Sequence, residues 1–330
     1  MKISQLIGPG TSAVVDAPDP VPAPGQVLVE VLACGVCTSD LGAWRGHDPA
    51  GPPRLLGHET VGRVLDAGRD AGRWTAGNLV TGLGGDGFAT LAVLDANAIL
   101  PVPGGIDPAH AIGEPVACLE EALSRTGLSN TGMGHTGTGA GVAAGAGHRV
   151  AVVGLGFMGL GLIQLAKRHA PGLLVGVDPD PARRSRALTL GADLVFAPDE
   201  LPEEYRTGTA PATEARCDVV LEATGATAGL KTAGTLVRPF GTLCVVGYHH
   251  TGDAMMDMDL WYKGVTVVNG FCPDRRRLMK AMRDALDLVE QRTFSYEPLV
   301  THRFRLNEVD EAFRTMRDAG PDFVKGVLVL

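Results

Sequence analysis

The chain has 330 residues, 45% hydrophobic and 20% charged, with a formal net charge of −8. That length supports two domains with separate cores, and the acidic balance argues against nucleic acid or anionic membranes as partners, because both demand a basic face. Six cysteines are scattered along the chain rather than arrayed as a disulfide framework, which points to a reducing, cytosolic setting.

The opening MKISQLIGPG lacks the basic segment and apolar core of a signal peptide. From Gln26 to Val102, the segments VLVEVLAC, TVGRVLDAG, NLVTGL and FATLAVL alternate or cluster apolar residues between Gly, Pro, Asp and Asn. They predict a mostly antiparallel, barrel-like β domain. After Pro108, AHAIGEPVACLEEALSRTG takes helical spacing and ends in Arg followed by Gly. The stretch 128–147 is rich in Gly, Thr and Ala. Its composition reads as a mobile surface loop, the alternative being a flap that carries His135 near a substrate.

From Arg149 the pattern becomes α/β. RVAVVG, LLVGVD, ADLVF, CDVVLEATG, GTLCVVG and VTVVNG read as strands, separated by helical patterns such as MGLGLIQLAKRHA and PARRSRALTLG. The alternation predicts a doubly wound parallel sheet with right-handed crossovers. RRRLMKAMRDALDLVEQR places Leu278, Met282, Leu286 and Val289 on one helix face. The final strand-like segments, VTHRFRL and FVKGVLVL, are expected to return to the first domain and make it discontinuous.

Gly154, Gly156 and Gly159, with Phe157 and Met158 between the last two, form G-L-G-F-M-G between a strand and a helix. The first glycine permits the tight turn and the second lets backbone approach a pyrophosphate. The third lets helix and strand pack, and the helix N-terminus faces the phosphates. The same glycines account for 150–166, an uncharged run too short and glycine-rich for a membrane span. Asp178, at the end of the second strand, suits the adenosine ribose hydroxyls and repels a 2′-phosphate, favouring NAD over NADP. Arg183 and Arg184 soften that preference or simply cover a solvated helix face. Ala223 and Thr224 in ATGA, and Gly247 in VVGY, sit at strand ends where an open parallel sheet presents its ligand crevice.

In ACGVCTSD, Cys34 and Cys37 have C-x-x-C spacing, which fits a redox pair, half of a four-cysteine site or neither. A thiol–disulfide oxidoreductase places that motif at the start of a helix in a βαβ unit, whereas this pair ends a strand-rich segment. His58 and Glu59 follow in GHETVGRVLDAG, and Glu114 in GEPVACLEEAL. Cys, His and Glu are competent zinc ligands, and three protein ligands with an open position define a catalytic site. On spacing alone each has a plainer role: Cys37 as a small buried residue, His58 as a core histidine, Glu114 as a surface carboxylate.

With GVCTSD, GHE followed by VGRV, the EP pair, the glycine fingerprint, ATG and the terminal VKGVLVL in this order, the chain resembles the zinc-dependent medium-chain dehydrogenase/reductase superfamily over nearly its whole length. That superfamily includes alcohol, sorbitol and threonine dehydrogenases. The resemblance implies a GroES-like catalytic domain at residues 1–118, an NAD-binding Rossmann domain at 119–268 and a return to the catalytic domain at 269–330. It implies Cys37 and His58 as zinc ligands, with Cys34 an ordinary strand residue. It also implies Glu59 as a carboxylate able to ligate zinc or exchange with water, and Asp40 as the acceptor that orients the histidine. Glu114 falls at the remaining ligand position, with Cys118 one turn further on as its competitor. Ser39 matches a hydroxyl that relays the substrate proton, while Gly42 stands where a relay histidine extends that path.

Residues 74–101 contain no cysteine, so one catalytic zinc and no structural zinc is expected. The implied reaction is reversible oxidation of a secondary alcohol of polyol, sugar or cyclitol type by NAD, with zinc polarising the substrate oxygen. GYHHTGD at 247–253 and WYKG at 261–264 offer His249, His250 and Trp261 either to read substrate hydroxyls or to serve subunit contacts. The expected assembly is a homodimer or homotetramer. The competing readings are an internal redox epimerase, a zinc-free reductase and a non-catalytic NAD-binding protein.

Overall fold

The computed structural model describes residues 1–46, 56–128, 147–206, 215–249, 257–320 and 322–330. The Gly/Thr-rich stretch 129–146, with His135, and His250 lie outside the described residues. Contacts divide the chain into two units, Met1–Ala117 with Arg275–Leu330, and Cys118–Asp274.

The first unit opens with the hairpin β1 (Lys2–Gly8) and β2 (Thr11–Asp16). Next come β3 (Gln26–Gly35), the short helix α1 (Leu41–Trp44), β4 (Glu59–Ala67), β5 (Leu79–Gly82), β6 (Leu91–Asp95) and β7 (Ile99–Pro101). Helix α2 (Gly113–Ser124) follows and runs on past the division into the second unit. Val27, Val29 and Val31 of β3 are fully buried while Glu30 between them is exposed. This is the period-2 alternation expected of a strand with one face on a core.

The second unit runs β8 (Arg149–Val153), α3 (Phe157–Lys167), β9 (Leu173–Val177), α4 (Pro181–Leu190), β10 (Leu194–Phe196) and α5 (Glu203–Arg206). It continues with β11 (Cys217–Glu222), α6 (Thr227–Leu236), β12 (Val237–Val245), α7 (Met258–Tyr262) and β13 (Thr266–Asn269). The strands form one parallel sheet in the order β10-β9-β8-β11-β12-β13. This is the doubly wound sheet that the strand–helix alternation predicts. Chain direction across the sheet reverses between β8 and β11, and ligands bind beyond the strand ends at such a switch point. Local chemistry explains the crossovers. On α4, Pro181 follows the capping Asp180, whose carboxylate accepts the Ala182 and Arg183 N–H groups. Gly191 ends the helix in the left-handed region at φ 116°, which costs glycine little.

Phe240, inside β12, also adopts a left-handed φ, 58°, yet its side chain is 81% exposed. An aromatic residue in that region carries backbone strain that little burial offsets. Phe240→Gly keeps the N–H bonded to the Lys263 carbonyl. It is expected to stabilise the protein by about 0.5–1 kcal/mol in urea unfolding.

The return segment supplies α8 (Arg275–Glu290), β14 (Val300–Phe304), α9 (Val309–Arg317) and β15 (Lys325–Val329). Met282, Leu286 and Val289 of α8 are buried, and Leu278 is half-buried. β15 pairs antiparallel with β3. The last strand therefore completes the sheet β14-β15-β3-β4-β5-β7, with β6 on the other edge of β3 along its first half. Phe313 of α9 stacks on Trp44 at 5.3 Å and covers the core of this sheet.

Candidate metal centre and dinucleotide site

The metal-type residues collect where β3, β4 and β15 meet. β3 ends at Gly35, and a tight turn over Thr38–Asp40 folds Ser39 and Asp40 back towards the start of β4. There His58 and Glu59 stand in succession. Candidate donor atoms of Cys37, His58 and Glu59 all lie within 4.8 Å of one another, the one such group among the described residues.

The surroundings fix how each donor is presented. Asp40 Oδ1 lies 3.2 Å from His58 Nδ1. The carboxylate accepts that N–H, which leaves the Nε2 lone pair facing Cys37. Ser39 Oγ donates to Cys37 Sγ at 3.2 Å and lies 3.4 Å from His58 Nε2. Burial disfavours a charged His58, but hydrogen bonds to Asp40 and Cys37 outweigh it and push the imidazole pKa up to about 11. A proton and a divalent cation therefore compete for one lone pair.

Glu59 is buried, and a Cβ at Gly35 would lie 1.7 Å from its Oε2. Only glycine at the end of β3 leaves room for this carboxylate. Glu59 Oε1 accepts a hydrogen bond from Lys325 Nζ at 2.7 Å. Oε2 is ion-paired with the same nitrogen at 2.6 Å. A buried carboxylate beside a thiol and an imidazole lone pair is the mixed S/N/O donor chemistry that suits a zinc-type ion. The donor set fits the metal.

Lys325 is the site residue that sequence reasoning missed. It opens β15, whose register sets Val327 opposite Gly35 and so brings Lys325 alongside Cys37. Burial alone would lower its ammonium, but the Glu59 carboxylate, with Cys37 and Glu114 nearby, turns the balance and raises it. The available signal was a lysine inside the otherwise apolar FVKGVLVL, since a charge in a buried strand calls for a partner. Glu114, half-buried in the first turn of α2, is not one of the three clustered donors. Cys118, also half-buried, lies one turn along the same helix. Cys34 is fully buried on β3. Burial, and then the Glu59 carboxylate, hold its thiol well above its ordinary range. It is thus a poor thiolate for redox exchange.

In the second unit, the glycine fingerprint forms the turn from β8 into α3. Gly154 has φ 90°, and a Cβ there would lie 2.6 Å from Thr224 Cγ2. A Cβ at Gly159 would lie 1.7 Å from the Gly154 carbonyl oxygen, so helix and strand pack at backbone contact. At Gly156 a Cβ would meet nothing within 4 Å. The turn is open there, as backbone approach to a phosphate requires. Phe157 and Met158 open α3, whose capping position, Gly156, offers no side-chain hydrogen bond.

Asp178, buried just beyond β9, accepts the Leu155 and Asp180 N–H groups at 2.8 Å each. One carboxylate thus fastens the glycine turn to the neighbouring strand. Arg183 Nη1 is 4.0 Å from its Oδ2, while Arg184 Nη1 donates to the Asp178 and Pro179 carbonyls. Ala223 and Thr224 follow β11, and the Ala223 N–H donates to the Val153 carbonyl at 2.8 Å. Gly247 follows β12 and packs on Gly225, since a Cβ would lie 2.2 Å from the Gly225 nitrogen. His249 lies two residues on, with Nε2 3.2 Å from Glu222 Oε2. Trp261 is exposed on α7, edge-on to Tyr262 with ring centroids 5.1 Å apart.

Two family models match the chain. Residues 23–104 match the alcohol dehydrogenase GroES-like domain and residues 158–291 the zinc-binding dehydrogenase domain. The chain belongs to the zinc-binding alcohol/sorbitol dehydrogenase-like family of medium-chain dehydrogenases. It is 27% identical to a sorbitol dehydrogenase of Halalkalibacterium halodurans over 94% of both chains. A "Probable zinc-binding alcohol dehydrogenase" of Mycobacterium tuberculosis is 32% identical over 76% of this chain and 68% of its own. The fold matches that of a solved short chain alcohol dehydrogenase from Escherichia coli CFT073 complexed with NADH, with a TM-score of 0.83 and 20% identity over 100% and 99% of the two chains.

Proposed function

We propose that this chain is a zinc-dependent, NAD-linked dehydrogenase that interconverts a secondary alcohol of polyol, sugar or cyclitol type and its ketone. The observation that carries this reading is the clustering of Cys37, His58 and Glu59, with the His58 tautomer set by Asp40. The match to a sorbitol dehydrogenase over nearly the full length of both chains supports a polyhydroxylated substrate. A bound zinc supplies Lewis acidity that eases loss of a hydroxyl proton near neutral pH, and a bound NAD supplies the hydride acceptor.

The chain's own residues supply the rest. Cys37 and His58 would hold the ion, Glu114 in preference to Cys118 would complete the set, and Glu59 would be a carboxylate able to ligate it or give way to water. Ser39, whose hydroxyl already bridges Cys37 and His58, takes the substrate proton and passes it on. Gly42 offers no side chain to continue that path, so the proton leaves through water. Asp178 accepts from the adenosine ribose and disfavours a 2′-phosphate, which selects NAD. The protein acts in the cytosol as a homodimer or homotetramer, on the strength of its scattered cysteines and its family resemblance.

The test is an NAD-reduction screen of polyols, cyclitols and simple alcohols, with zinc measured on the same batch. Net NADH formation from at least one polyol or cyclitol, with about one zinc per chain, is the expected result. Product without net NADH would instead indicate an internal redox epimerase, and turnover by metal-free protein a zinc-free reductase.

A further inference from the structure

We infer that Glu222 and His249 form a positioning pair that shapes the nicotinamide half of the dinucleotide site, an inference that rests on the dinucleotide reading of the second unit. The sheet order supplies the direction. Asp178 stands at the end of β9, on one side of β8, while β11 and β12 lie on the other side. A dinucleotide with its pyrophosphate on the Gly154–Gly159 turn and its adenosine ribose on Asp178 therefore extends its nicotinamide half over the ends of β11 and β12.

Those two strand ends are tied together by one buried carboxylate. Glu222 is the last residue of β11 and is fully buried. Its Oε1 accepts the Thr224 N–H at 2.7 Å and the Gly225 N–H at 3.0 Å, and also the Thr224 hydroxyl. Its main-chain carbonyl accepts the Val246 and Gly247 N–H groups at 2.8 and 2.9 Å. The remaining oxygen, Oε2, takes His249 Nε2–H. A carboxylate buried at this cost is retained where its bonds organise backbone, because an unmade bond there carries the full desolvation penalty.

The two halves of the pair have separate duties. The Oε1 bonds shape the 223–225 turn, which packs directly on Gly154. The Oε2 bond holds His249 and with it the turn that leaves β12. His249 is nine-tenths buried, and its Nδ1 has no hydrogen-bond partner among the described residues. The contact with Glu222 is thus the polar anchor of this ring.

Binding of NADH and of ADP-ribose, which lacks only the nicotinamide, separates these duties. Both are titrated calorimetrically into wild-type and variant protein, with melting temperature recorded for each. His249→Ala is expected to weaken NADH about tenfold while leaving ADP-ribose within about twofold, since one hydrogen bond to a charged group is lost. His249→Gln, whose amide N–H can donate to Glu222, is expected to recover most of that loss. Glu222→Gln, which disturbs both turns, should weaken both ligands. Equal weakening of NADH and ADP-ribose by His249→Ala, or none of either, would overturn the pair's positioning role while the dinucleotide reading stands. Wild-type protein that binds neither ligand would overturn that reading and the inference with it.

Discussion

Cys37→Ala is expected to lower turnover by at least about a thousandfold, because Lewis-acid assistance worth several kcal/mol depends on the ion staying in place. Cys37 is the sole sulfur donor of the clustered group, and it accepts the Ser39 hydroxyl at 3.2 Å. Losing it removes a metal ligand and unseats the proposed proton relay together. The substitution lies in the first unit, whereas the glycine turn and Asp178 belong to the second. NADH affinity is therefore expected to remain at the wild-type value. Steady-state assays paired with NADH titration and metal analysis check this. Retained turnover in a variant that has lost its metal would remove zinc from the mechanism.

Lys325→Met is expected to destabilise the protein by about 3–5 kcal/mol, the range seen when one partner of a buried ion pair is removed. The pair is deeply enclosed, with Lys325 and Glu59 side chains 5% and 1% exposed. Methionine fills much of the lysine's volume, so the loss arises from Glu59 keeping a charge without its counter-ion. The double variant Glu59→Leu/Lys325→Met removes both charges and is expected to regain more than half of that stability. Urea unfolding of the single and double variants measures both effects. A double variant as unstable as Lys325→Met would show that packing, not charge, is what Lys325 supplies.

Much of this architecture is legible along the chain because it rests on short-range rules. The parallel strands appear as apolar runs bounded by Gly and Asp, and the turn at Gly154 announces itself through its glycine spacing, two of whose members, Gly154 and Gly159, have neighbours that leave no room for a Cβ. Cys37, His58 and Glu59 are legible as donor types, and His58 and Glu59 are adjacent. What the sequence does not show is which charges meet. Lys325 lies 266 positions from Glu59, and only the antiparallel register of β15 on β3 reveals the contact. Glu222 is hidden differently, as the final residue of an apolar strand whose carboxylate turns back onto its own loop. Phe240 gives no sign of its left-handed backbone, which lies within β12 and whose N–H bonds to the Lys263 carbonyl 23 positions further on. Local pattern thus reports element type, while paired charges and a strained strand residue wait for register and topology.

Zinc dependence is tested by stepwise removal and return of metal, with zinc content and NAD-dependent alcohol oxidation measured on the same samples. Activity is expected to fall in proportion to zinc removed by a chelator and to return when zinc is restored. NADH binding is expected to persist throughout. Full activity in zinc-free protein would rule out a catalytic zinc.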